Sequence, residues 1–128
     1  MKPLIGITMG DPAGIGPELI VKLLKNKSFD FTKFLFFGSS KVLKHELEKN
    51  NIKLPIKNFS NAKLVETDFE SILNFETKKL DFDFKMGEIN PLCGKLAYEY
   101  IINAIEFANK GLIKAIVTGP INKESLKK

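Results

Sequence analysis

The chain has 128 residues, of which 44% are hydrophobic and 27% charged, a balance that belongs to a folded globular domain and excludes a disordered tail or a membrane-embedded chain. The net charge of +5 is carried by lysine alone, because the sequence contains no arginine, and the lysines are scattered; this excludes the concentrated, forked guanidinium surface on which nucleic-acid interfaces depend. The length sets a ceiling of one domain, and a parallel α/β sheet normally needs more flanking elements than fit, so the chain reads as an incomplete unit with no internal boundary.

Residues 4–8 are a short β-branched run that predicts a strand, followed by the loop Met9, Gly10, Asp11, Pro12, Ala13, Gly14, Ile15, Gly16. Pro17 then opens a helix over residues 18–25. Proline suits a first helical position because its missing N–H would be unpaired there, and Glu18 puts negative charge where the helix dipole favours it. Residues 34–37, three phenylalanines and a leucine, predict a compact buried strand closed by Gly38, Ser39 and Ser40. Ser39 or Ser40 caps a helix over residues 41–49, in which Val42, Leu43 and Leu47 recur at helical spacing.

From 50 to 86 short apolar pairs alternate with Lys, Asn and Asp, and strands are expected only around 52–59 and 79–84. Residues 91–110 predict a long amphipathic helix with Leu96, Ala97, Tyr100, Ile101, Ala104, Ile105 and Ala108 on one face, ended by Gly111. Residues 115–118 predict a buried strand, 119–123 a loop, and Lys123 or Glu124 the start of another helix. Strands alternating with helices give the fold class: α/β, a mostly parallel sheet with flanking helices.

Several residue types that often carry chemistry have blander readings here. Cys93 is the only cysteine, which rules out an internal disulfide and predicts a buried structural thiol. His45 lies among charged helix residues with no second histidine in the chain, which predicts a surface residue rather than a metal ligand. Asp81 and Asp83 alternate with Phe82 and Phe84, the pattern of an exposed charged face on a strand. The first residues lack the apolar run and cleavage site of a secretory leader. No stretch reaches membrane-spanning length, so a cytoplasmic protein is expected.

The two strand-to-helix loops, residues 10–17 and 119–123, are the candidates for function, because ligands of open parallel sheets bind at the carboxyl edge of the strands. Gly14 and Gly16 let the main chain approach a ligand, Asp11 can hydrogen-bond the loop backbone, and the amides at the following helix start attract anions. Thr118, Asn122 and Lys123 offer a hydroxyl, an amide and an ammonium beside the second helix start. The glycine spacing does not match a dinucleotide fingerprint, since Leu19 stands where the third glycine belongs, and no Gly-Lys-Ser/Thr follows as in a nucleotide-triphosphate loop. Tight turns and a solvated lysine explain the same residues without any ligand.

The stretch Ile7-Thr8-Met9-Gly10-Asp11-Pro12-Ala13-Gly14-Ile15-Gly16-Pro17-Glu18, the segment Gly94-Lys95-Leu96-Ala97 and the run from Ala115 to Thr118, Gly119, Pro120, Ile121, Asn122 and Lys123 resemble the 4-hydroxythreonine-4-phosphate dehydrogenase family, PdxA, in its amino-terminal portion. The resemblance implies an isocitrate/isopropylmalate-dehydrogenase-like fold and a homodimer. It also implies a divalent metal, NAD or NADP, and oxidation with decarboxylation of a phosphorylated hydroxy acid in pyridoxal phosphate (vitamin B6) biosynthesis. The family's metal-binding histidines, its Gly-His-Thr-Glu segment and its phosphate-gripping cations follow the matched region. No catalytic or metal-binding residue is therefore carried over, and the stretch is expected to be inactive alone and to bind no cofactor by itself. Asp11, Gly14, Gly16, Asn122 and Lys123 are the residues expected to lie near cofactor or substrate. Two alternatives stay open, a paralogue oxidising a four-carbon sugar-acid phosphate and a non-catalytic anion-binding or dimerising module.

Overall fold

A computed structural model describes residues 4–68 and 70–120. In chain order it contains β1 (Leu4–Thr8), α1 (Gly16–Lys25), β2 (Phe34–Phe37), α2 (Ser40–Lys49), β3 (Ile56–Phe59), β4 (Ile72–Phe75), α3 (Pro91–Asn109) and β5 (Ile113–Val117). The strands form a single sheet in the order β3-β4-β2-β1-β5, and every pairing is parallel. The path from β1 through β2 to β3 runs toward one edge, whereas the connection from β4 to β5 returns to the other. Right-handed crossovers in opposite directions place their helices on opposite faces. Accordingly α1 packs on α2, while α3 packs on β1, β2 and β5.

Burial explains why these segments take these forms. Leu35, Phe36 and Phe37 are almost wholly buried, as a strand covered on both faces requires. Phe37 meets Phe107 of α3 edge-to-face with ring centroids 5.2 Å apart, and Phe107 meets Phe75 of β4 at 4.6 Å, a geometry that adds to the area term. On α3 the buried face is Cys93, Leu96, Ala97, Tyr100, Ala104 and Phe107. Of the apolar face read from periodicity, Ile105 is exposed and Ile101 and Ala108 are only half-buried. Asn90 caps α3 by accepting from the Leu92 and Cys93 amides, and Gly111, at φ 72°, ends it. Ser39 caps α2, its hydroxyl accepting from the Val42 amide at 3.2 Å.

The segment from 50 to 86 departs from expectation. The first expected strand is shortened to Ile56–Phe59, and the second, around 79–84, does not form. Instead Ile72–Phe75 makes β4, hydrogen-bonded between β2 and β3. Its buried Asn74 disguises an interior strand as a polar stretch, since only the cross-sheet partners of that amide make its burial affordable. Leu80 is buried and Phe82 and Phe84 half-buried, so the alternation at 79–84 reports side chains leaning on the core without a ladder. Asp81 and Asp83 are exposed, as are His45 and the adjacent Lys44, whereas Glu46 is buried.

A second correction concerns the last strand. It begins at Ile113 and is not buried as expected: Ala115 is exposed and Val117 is 53% exposed. It lies at the end of the strand order, paired with β1 alone among the described strands. Among the described residues no helix is long and apolar enough to cross a membrane.

Candidate functional site

β1 and β5 are neighbours with Ile7 opposite Val117, so the loops that follow them emerge side by side at the carboxyl edge of the sheet. They are also bonded to each other. The Gly119 amide donates to Thr8 Oγ1 at 3.0 Å, and the Asp11 amide donates to the Pro120 carbonyl at 3.1 Å. Gly10 sits between them at φ 77°, and a Cβ there would overlap the Pro120 carbonyl oxygen. Only glycine combines that angle with so close an approach. Gly10 is therefore the residue on which the junction turns, a role that its place in the 10–17 loop and in the motif does not by itself reveal.

The expected residues of the first loop have distinct roles. Asp11 is 2% exposed; its Oδ1 accepts from the Ala13 amide at 2.8 Å, and its own carbonyl accepts from the Gly14 amide at 2.9 Å. This is a local turn closed by an inward-facing carboxylate. Gly14 is half-buried at the top of that turn. Gly16 is buried, and a Cβ on it would collide with the Met9 carbonyl oxygen, so its smallness lets α1 start directly against the end of β1. The loop segment preceding α3 closes over this turn, with the Gly87 amide donating to the Ala13 carbonyl at 2.6 Å. Asn122 and Lys123 lie outside the described residues; Thr118 is exposed at the end of β5.

The helix starts differ in a way that bears on anions. Ser39 caps α2, and beside it the buried Glu76 carboxylate accepts from the Ser40 amide at 3.3 Å, the Ser40 hydroxyl at 2.8 Å and Asn58 Nδ2 at 3.1 Å. That helix start already carries its own anion. Asn90 caps α3. No side chain caps α1, which begins after Ile15 with Pro17 and Glu18 in its first turn; since proline has no N–H, the amides open to a phosphate or carboxylate are those of Gly16 and Glu18, at a helix end that also carries the exposed Glu18 carboxylate.

Beneath the first loop lies the face of α3 that carries Cys93 and Tyr100. Burial, then the nearby Asp11 carboxylate, push the Cys93 thiol up to about 11, against a smaller opposing effect of the Ala13 backbone. A thiol held neutral in this way is a packing group and not a nucleophile, as expected for Cys93. Burial also raises Tyr100 strongly, with further contributions from Glu76, Cys93 and Asp11. Among the described residues no three His, Cys, Asp or Glu side chains converge on a point fit for a metal ion.

The profile of the family described as "Pyridoxal phosphate biosynthetic protein PdxA" matches residues 30–128. The chain belongs to the PdxA family. Among its relatives, a provisionally named D-threonate 4-phosphate dehydrogenase of Oceanobacillus iheyensis is 40% identical over 99% of the chain and 39% of its own length. The fold of this PdxA-family chain is shared with a crystal structure of a 4-hydroxythreonine-4-phosphate dehydrogenase from Burkholderia phymatum. The two are 34% identical with a TM-score of 0.86, over 99% of this chain and 39% of that one. The corresponding enzyme from Klebsiella pneumoniae gives 29% and 0.83, over 98% and 39%. The chain thus spans about two-fifths of the length of the relatives it matches. These alignments include the α1 loop, which precedes the region of the family profile.

Proposed function

We propose that this chain forms the amino-terminal part of an NAD(P)-dependent dehydrogenase that oxidises a four-carbon hydroxy acid carrying a 4-phosphate. The observation that supports this most directly is the uncapped start of α1, set by Gly16 against the end of β1, in a loop that Gly10 brings against the β5 loop, in a chain whose relatives are named for 4-phosphorylated substrates. The first-turn amides of α1 hold a phosphate, of substrate or of cofactor, by hydrogen bonds that cost no reorganisation. The Thr8–Gly119 and Asp11–Pro120 bonds keep the two loops in register while it is held.

In the full-length protein a bound nicotinamide would supply the hydride acceptor for oxidation of the substrate's hydroxyl carbon, which would yield a β-keto acid able to lose carbon dioxide. The described residues do not suit the divalent metal that the family implies, and no step is assigned to one in this stretch. The part of the site contained here binds and orients; the reacting groups belong to the remaining length of the protein, which works as a homodimer. Two substrates fit. D-threonate 4-phosphate is favoured by the 40% identity to the Oceanobacillus protein. 4-Phosphohydroxy-L-threonine, which carries an amine where threonate has a hydroxyl, is the second reading, favoured by the solved structures. Full-length protein incubated with each substrate, a divalent metal and NAD or NADP is expected to form the reduced cofactor. Turnover of neither, or equal turnover of the dephosphorylated acids, would overturn the proposal.

A further inference from the structure

The apolar surface of α1 is divided between two sides of the helix. Ile20 and Val21 are buried toward the sheet, and Lys22 and Lys25 face Glu46 and Lys49 of α2 across a groove. Ile15, Leu19 and Leu23 recur at four-residue intervals and are 59%, 39% and 36% exposed, so they form one stripe, on the flank turned away from α2. That flank looks toward β5, because α1 connects β1 to β2 and β5 lies on the other side of β1. The strand presents an uncovered surface to the same side. A Cβ on Gly6 would meet Phe37, whose ring packs on Phe107 of α3, so Gly6 faces α3 and its neighbours Ile5 and Ile7 face the α1 side. Their partners in register are Ala115 and Val117, both exposed. The α1 stripe is thus the wall, and β5 the floor, of an apolar trough. It opens at the carboxyl edge of the sheet, where Ile15 and Val117 stand next to the two candidate loops.

Parallel sheets are covered on both faces. Here α3 packs on β5 from the other face, and a connection continuing outward from β5 by a right-handed crossover would lie on that same α3 face. The chain is about two-fifths as long as relatives that match nearly all of it, so ample further sequence exists to fill the trough. A second copy is the poorer occupant, since a two-fold contact brings the same surface against itself and two troughs do not fill each other. A helix laid beside α1 at about 8–10 Å between axes does. We propose that the trough seats an amphipathic helix from the remaining length of the full-length protein, with one end of that helix beside the two candidate loops. The crossover rule makes it a segment that returns from later in the sequence. The inference rests on the reading of this chain as the amino-terminal part of a longer dehydrogenase.

In the full-length protein, a photo-crosslinking benzophenone amino acid placed at Leu19 is expected to join that position to a segment beyond residue 128 of the same molecule. Mass spectrometry of an equal mixture of light and heavy-isotope protein separates crosslinks within one molecule from those between two. Crosslinks between copies, to another protein, or only within residues 1–128 overturn the proposal. Leu64 is 66% exposed and outside the trough; the same crosslink from that position would refute the trough as the seat. Leu23→Lys puts a charge into the wall and is expected to lose most of the Leu19 crosslink, with circular dichroism unchanged, whereas Leu64→Lys keeps it. An undiminished crosslink in Leu23→Lys refutes the apolar stripe as what holds the helix. The readout is packing and not turnover. A protein that gives the expected crosslink but forms no reduced cofactor sinks the dehydrogenase reading alone, and an active protein crosslinked only between copies sinks this inference alone.

Discussion

Replacing Gly10 by alanine tests the geometry on which the candidate site depends. The residue sits at φ 77°, and a Cβ would overlap the Pro120 carbonyl oxygen that accepts the Asp11 amide. Placing a side chain in the left-handed region costs about 1–2 kcal/mol. Displacing the carbonyl forfeits a backbone hydrogen bond worth about 1 kcal/mol net. The sum is roughly 2–3 kcal/mol. Gly111 is the internal control: its φ is 72°, yet nothing lies within 4 Å of its would-be Cβ, so Gly111→Ala carries only the backbone part, about 1–2 kcal/mol, and should fall short of Gly10→Ala by about 1 kcal/mol. Urea denaturation of both variants at a common slope measures the difference. Amide exchange at Gly119, whose N–H bonds Thr8, should rise in the Gly10 variant and stay unchanged in the Gly111 variant. A Gly10→Ala protein as stable as Gly111→Ala would refute the claim that this glycine holds two loops together.

Four further outcomes follow from particular contacts. Phe107→Ala removes a 2% exposed ring that packs edge-to-face on Phe37 and Phe75, and thermal unfolding should register a loss of about 3–5 kcal/mol. Glu76→Ala strips the Ser40 amide and hydroxyl and Asn58 of their shared acceptor, costing about 2 kcal/mol by urea titration, with Glu76→Gln milder because it keeps an acceptor oxygen. The Cys93 thiol is raised in the folded state from 9.0 to about 11; the unfolded chain therefore releases its proton first, and the contribution present below pH 9.0 is lost as pH rises through about 11. Comparing stability against pH in the parent and Cys93→Ala should show an extra decline of roughly 3 kcal/mol in the parent across that window. Val117 is 53% exposed on the outermost of the described strands; sedimentation at rising concentration should show this stretch associating and Val117→Lys should weaken that association, and either no association in the parent or undiminished association in the variant would refute β5 as an associating edge.

Where the pattern was local, reading the chain in order sufficed. Pro17 and Glu18 open α1, Ser39 caps α2, and Gly111 ends α3, because each of those signals acts within one helical turn. The misreading from 50 to 86 has the opposite origin. Ile72–Phe75 is four residues long and contains an amide, Asn74, that donates to the Gly38 carbonyl and to Asn58 Oδ1. Its strand character comes from neighbours distant in sequence. The alternating Leu80, Phe82 and Phe84 carry the period of a strand without a partner to pair with, so periodicity alone pointed to the wrong segment.

The candidate site divides in the same way. The linear motifs were enough to establish the α/β class, the two loops at the carboxyl edge and the likeness to the PdxA family, since turn residues, helix starts and apolar runs are properties of adjacent positions. Only the tertiary structure decided that Gly10 rather than Gly14 sits at the turning point, that Asp11 faces inward, that β5 is the outermost of the described strands, and that α1 alone among the described helices starts without a side-chain cap. Each of those depends on which backbone atom of another element occupies the neighbouring few ångströms. That information is set by the packing of β1 between β2 and β5, and no run of consecutive residues contains it.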